Sequence, residues 1–90
     1  MPRHERSFVI VNTLGLHARA AAQLVQAANR FRSEIHVEKD GMEVNGKSIM
    51  GVLTLAAAKG SSILVTIEGE DAETAMVALA KMIENGFGET

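Results

Sequence analysis

The sequence predicts an α+β fold, a two-layer sandwich in the order β-α-β-β-α-β-α with an antiparallel sheet and all three helices on one face. Three observations carry this. Four short segments alternate apolar and polar residues, as strands buried on one face do. Three other segments repeat apolar residues at helical spacing and present one stripe each. Asp40-Gly41, between two alternating segments, is a hairpin signal, because a type I′ turn needs positive φ at both central positions. Strands with one apolar face and helices with one apolar stripe bury both by stacking as two layers. Residues 1–90 show no linker and no internal repeat, and are read as a single domain.

The chain opens on a polar tail, Met1–Glu5. Arg6–Asn12 alternates, with Phe8 and Ile10 as the core pair and Ser7, Val9 and Val11 on the other face. Thr13–Leu16 is the loop that bears Gly15. From Ala18 to Phe31 the period turns helical, with Ala21, Leu24, Val25, Ala28 and Phe31 in one stripe and enough Ala to favour helix strongly. Glu34–Lys39 alternates with Ile35 and Val37 inward, and Met42–Val44 returns after the Asp40-Gly41 turn. Asn45-Gly46 marks another turn. Ser48 is a natural N-cap for a short helix, in which Val52, Leu55 and Ala56 face the core. After the break at Lys59-Gly60-Ser61, Ser62–Glu68 forms the fourth strand with Ile63, Val65 and Ile67 on one face. Asp71 is expected to cap the last helix, whose stripe is Ala72, Ala75, Met76, Leu79 and Ile83. Gly86 stands where a helix-terminating glycine belongs, Phe87 is placed to fold back on Met82, and Gly88–Thr90 are expected to fray.

Ninety residues suffice for one core without metal or disulfide support. With three Phe and neither Trp nor Tyr, that core must be aliphatic. No apolar run approaches the roughly 20 residues of a membrane span, so no membrane insertion is expected, and MPRHERS lacks the apolar stretch of a secretory signal. The absence of Cys excludes thiol chemistry and suits the cytoplasm. A net charge of −2 without a basic run argues against nucleic acid as a partner. His4 lies in the tail and His36 points outward from a strand. Neither has partners at metal-ligand spacing, so no metal site is expected.

The most informative stretch is Leu14–Ala22, LGLHARAAA. It sets His17 just after a glycine turn and just before a helix, with Arg19 two residues on. A helix start offers unpaired N–H groups and about half a positive charge, and so accommodates an anion. That positive end favours a neutral imidazole, the form in which the ring is a nucleophile. A phosphoryl group taken up there would lie against the amides of Ala18, Arg19 and Ala20, with the Arg19 guanidinium as counter-charge. The same residues also read as a histidine that merely sits at a helix start.

A second stretch, Lys47–Ser61 (KSIMGVLTLAAAKGS), carries more apolar residues than one stripe needs. Ile49, Met50 and Leu53 crowd toward a second face, which reads either as a well-buried short helix or as an exposed docking patch. LGLHARAA followed by NGKSIMGVLTLAAAKGS, at this spacing and in this order of elements, closely resembles HPr, the histidine-containing phosphocarrier family of the bacterial phosphotransferase system. The resemblance runs from about Phe8 to Phe87.

The resemblance implies an open-faced sandwich with strand order 1-4-2-3. It implies that His17 accepts phosphate on Nδ1 from phospho-Enzyme I and passes it to a histidine of an EIIA-type protein, with Arg19 supporting the transfer. Ile49, Met50 and Leu53 match the family's docking surface, with Leu16 and Ala22 as neighbours. Ser48 matches the serine that an ATP-dependent HPr kinase/phosphorylase modifies in many members; it also reads as a plain N-cap. Such a carrier is a substrate of two transfers rather than a turnover enzyme, needs no cofactor, and is expected to be a monomer. One departure is Ala20, where the family usually has Pro. SIMGV looks like the carbohydrate branch, whereas LGLHAR and the ending NGFGET look like the nitrogen-related branch, so the branch stays open. A second function remains in view, a regulatory interaction protein in which the Ser48 state and the apolar patch matter more than transfer through His17. A small ligand-binding module is a third, and no pocket is legible in the sequence.

Overall fold

The computed structural model describes residues 1–89. Four strands, β1 (Arg3–Val9), β2 (Glu34–Lys39), β3 (Met42–Asn45) and β4 (Ser62–Glu68), alternate with three helices, α1 (Ala18–Ala28), α2 (Ile49–Thr54) and α3 (Ala72–Glu84). A 3₁₀ turn, Gly86–Gly88, is the last element, with Glu89 following it. The strands form one antiparallel sheet in the order β1-β4-β2-β3, with Phe8 opposite Ile63 and Val37 opposite Val65.

Alternate residues of three strands point beneath the helices. Phe8, Ile35, Val37, Ile63, Val65 and Ile67 are buried, while their neighbours along each strand are exposed or half-buried. The helices meet this face with Ala21, Leu24 and Ala28 from α1 and Ala72, Ala75, Leu79 and Ile83 from α3. Fully buried alanines let both helices approach the sheet closely, so few voids are left in an aliphatic core. Asp40 and Gly41 both have positive φ, as the hairpin between β2 and β3 requires.

Several boundaries differ from expectation. The first strand begins at Arg3 rather than Arg6, because RHERS pairs with β4 from Glu68 downward although it has no apolar alternation to announce it. Helix α1 stops at Ala28 rather than Phe31. Asn29 closes it, its backbone N–H and its side-chain Nδ2 both donating to the Val25 carbonyl (2.9 Å each). Ala56 is exposed with φ of 48°, and Ala57 takes the buried place instead.

Asp71 occupies the N-cap position of α3 but makes no side-chain cap. Its carboxylate turns instead to the connection between α1 and β2, accepting from Arg32 N (2.9 Å), Ser33 N (3.0 Å) and Ser33 Oγ. Three donors satisfy a carboxylate better than one helical amide. The Ser33 hydroxyl and the Arg32 amide hold the Asp71 carboxyl down to about 2.

The expected fraying after Phe87 is also corrected. Gly86 does terminate α3 in a left-handed conformation (φ 61°), and Phe87 and Gly88 follow with φ of 58° and 73°. This reversal buries Phe87, which borders a surface groove together with Met82. It carries Glu89 back to the loop after β1, where the side chain is held by hydrogen bonds. Thr90 lies outside the described residues. Among the described residues no helix is long and apolar enough to cross a membrane.

Candidate functional site

The loop between β1 and α1 is shaped by Gly15. Its φ is 65°, and a Cβ there would run into the Ala57 carbonyl, which accepts from Leu16 N at 2.8 Å. Only glycine suits both the conformation and the approach. The turn delivers His17 as the N-cap of α1 with extended backbone (φ −74°, ψ −179°).

His17 Nδ1 accepts from Arg19 N at 3.3 Å, and Nε2 lies 3.3 Å from Glu89 Oε2. An accepting Nδ1 carries its lone pair, so the ring proton of the neutral tautomer resides on Nε2 and is donated to Glu89. The reactive lone pair therefore faces the open end of α1. The helical bond from Ala21 N to His17 O (2.8 Å) closes the first turn and leaves the amides of Ala18, Arg19 and Ala20 among those with no partner further up the helix. Arg19 is exposed, and among the described residues its guanidinium enters no ion pair. A cleft of about 370 Å³ opens here, lined by His17, Arg19, Gln23, Phe87 and Glu89 among others.

The carboxylate of Glu89 sits in a nest of donors. Asn12 Nδ2 donates at 3.0 Å and Leu14 N at 3.0 Å, besides His17 Nε2. The Asn12 hydrogen bond, followed by that from Leu14, holds the Glu89 carboxyl below the ordinary carboxylate range. Asn12 is buried and also donates to the Gly15 carbonyl at 2.8 Å, so one amide ties together the loop and the C-terminal segment.

The structure thus brings His17, Ala18, Arg19 and Ala20 together as the sequence implies. Ser48 caps α2, its hydroxyl accepting from Gly51 N at 3.1 Å. Ile49 (43% exposed) and Met50 (73%) stand on the surface, Leu53 and Ala22 are half-buried, and α2 packs against α1. Leu16 departs from expectation. It is only 3% exposed and belongs to the core, while Leu14, two residues earlier, is 64% exposed and borders the cleft. Glu89 and Asn12 were not foreseen. Asn-Thr-Leu-Gly is a turn-like run that could have flagged Asn12, but no local pattern links Glu89 to a histidine 72 residues away.

Fold and site together define an open-faced sandwich that presents one histidine at a helix start, a design for carrying a group rather than enclosing a substrate. Residues 4–85 match the family model described as the PTS HPr component phosphorylation site. The phosphocarrier protein HPr of Xylella fastidiosa (strain 9a5c) is 52% identical over 85 residues, covering 94% of this chain and 96% of that protein. The crystal structure of HPr-C-His from Thermoanaerobacter tengcongensis superposes with a TM-score of 0.94 at 47% identity, covering 97% of this chain and 98% of that one. An HPr dimer from the same organism gives 0.78 at 49% identity, covering 91% and 94%. The chain belongs to the HPr family of phosphocarriers of the phosphotransferase system, and as such is a phosphocarrier and not a turnover enzyme.

Proposed function

We propose that the chain carries its phosphoryl group on Nδ1 of His17, taking it from phospho-Enzyme I and handing it to a histidine of an EIIA-type protein. The observation that carries this reading is the hydrogen-bond geometry of the ring, with Nδ1 facing the Arg19 amide and Nε2 facing Glu89. Nε2–H points to Glu89, and the Nδ1 lone pair looks out over the helix start. The 3.3 Å bond from Arg19 N is long and yields readily to an incoming phosphorus. In each in-line transfer a P–N bond forms on one ring as another breaks on the partner ring. Catalysis is then positioning and charge stabilisation. The amides of Ala18, Arg19 and Ala20 and the unpaired guanidinium supply the positive surroundings.

Ile49, Met50 and Leu53, with Ala22 beside them and Leu14 in the place first given to Leu16, offer the docking surface for both partners. Ser48 is the site at which an ATP-dependent HPr kinase/phosphorylase would act. A phosphate there adds about −1.5 to −2 charges next to an apolar patch and weakens docking to Enzyme I while keeping the cap.

Incubation with Enzyme I, Mg²⁺ and phosphoenolpyruvate, followed by ³¹P NMR, tests the reading. Wild type should show an acid-labile phosphoramidate, and His17→Ala should show none while keeping its ¹H–¹⁵N spectrum. A label that persists in His17→Ala overturns it. In the same preparation, kinase and ATP should add an acid-stable phosphate to wild type and not to Ser48→Ala.

A further inference from the structure

We propose that Glu89 is the positioning residue of this carrier: it selects Nδ1 as the reacting nitrogen and keeps Nε2 protonated while the phosphoryl group is in place. The proposal rests on His17 being the carrier.

The geometry supplies the argument. The chain reverses through three successive left-handed residues, one of them the bulky Phe87, to bring Glu89 to the loop. A side chain with a Cβ adopts that conformation only when its surroundings hold it there, and here the holding group is a buried ring. The carboxylate is then fixed by Asn12 and Leu14 before it meets the histidine. It therefore acts as a fixed acceptor for the ring. The charged groups lining the cleft are Arg19, from α1, and Glu89, from the C-terminal segment; Gln23 is neutral. The anion stands at Nε2, on the side away from the phosphoryl site.

This placement has a chemical consequence. When the group leaves, the P–Nδ1 bond breaks and its electron pair returns to Nδ1. If Nε2 bears a proton, the departing ring is neutral imidazole in the tautomer that these hydrogen bonds favour. If Nε2 is bare, the departing ring is imidazolate, a far poorer leaving group. With Nε2–H retained, charge balances without any proton moving. The phosphorylated ring starts as the cation and ends neutral, and the accepting neutral ring becomes the phosphorylated cation. A carboxylate hydrogen-bonded to Nε2–H stabilises the cationic form, because charge-assisted hydrogen bonds are the stronger ones. It thereby extends to higher pH the range over which the carried group can be passed on.

The test uses the phosphorylated full chain, as wild type, Glu89→Gln and Glu89→Asp. ¹⁵N NMR of the His17 ring follows the titration of Nε2, and the rate of transfer to an EIIA-type acceptor is measured across pH. In Glu89→Gln the Nε2 midpoint should fall by about one pH unit, and transfer above both midpoints should slow by up to about tenfold. The rates should converge at low pH, and a fraction of Nε2-linked phosphoramidate should appear. Glu89→Asp, which keeps the charge, should move the midpoint back toward wild type. A merely structural contact would lower the rate at every pH and leave the midpoint in place. An unchanged midpoint and an unchanged pH profile in Glu89→Gln overturn the proposal while leaving His17 as the carrier. Failure of wild type itself to label on His17 overturns the carrier reading, and this inference with it.

Discussion

Asp71 and Glu89 are held by the same means, a carboxylate that satisfies donors of a distant loop. For Asp71 the consequence is an acid dependence of known sign. Its carboxyl is held at about 2 against an ordinary 3.8. The stabilisation is therefore complete above the ordinary value and is lost as pH falls through about 2. Denaturant midpoints measured down this range should decline in wild type. Asp71→Asn should begin lower at neutral pH and show a shallower decline in the same window. Glu89 behaves with the same sign, so its contact with His17 weakens as pH falls through the lowered Glu89 range as well. The placement of His17, Arg19 and Ser48 was legible in the sequence because it is set locally, by a glycine turn, a helix start and a cap. Asp71 and Glu89 were visible only as a cap and a tail. Their partners lie 38 and 72 residues away, and no short pattern encodes such a pairing.

At the scale of elements, the first turn of α1 carries Ala20 at the position where the family resemblance implies Pro. Ala20 is the third residue of the helix and fully buried, with its N–H at the open end. Proline is tolerated in the first turn, where the missing N–H breaks no helical bond. Ala20→Pro should therefore fold, and should raise stability by about 0.4–1 kcal/mol through the unfolded chain, read as a higher Tm. It also removes one amide from the helix start at which we propose that the phosphoryl group lies, so the rate of phosphoryl uptake measures what that amide contributes. Strand interiors and helix stripes were readable because burial imposes their period. Ile35 and Val37, Ile63 through Ile67, and the α3 stripe are all where alternation put them. Ends were less readable. The first residues of β1 are strand because β4 offers partners, and α1 stops where Asn29 turns on Val25; neither event follows from periodicity.

At the scale of the whole molecule, alternation told which face of each strand was buried but not which strand lay beside which. The order β1-β4-β2-β3 places the first strand next to the last, and only the family resemblance supplied it. That order has a practical side. Strand β1 begins beside Gly69, whose N–H donates to the Pro2 carbonyl (3.0 Å), and ends at the loop that holds His17. The two ends of the chain are therefore unequal as handles. An affinity tag or fluorescent fusion on Met1 hangs a strand's length away, roughly 20 Å or more, and should leave phosphoryl uptake unchanged. The same tag joined after Thr90 lies close in sequence to Glu89, whose side chain meets His17, and should slow uptake in a kinetic comparison of the two fusions. For anyone immobilising or labelling this protein, the amino end is the one to use.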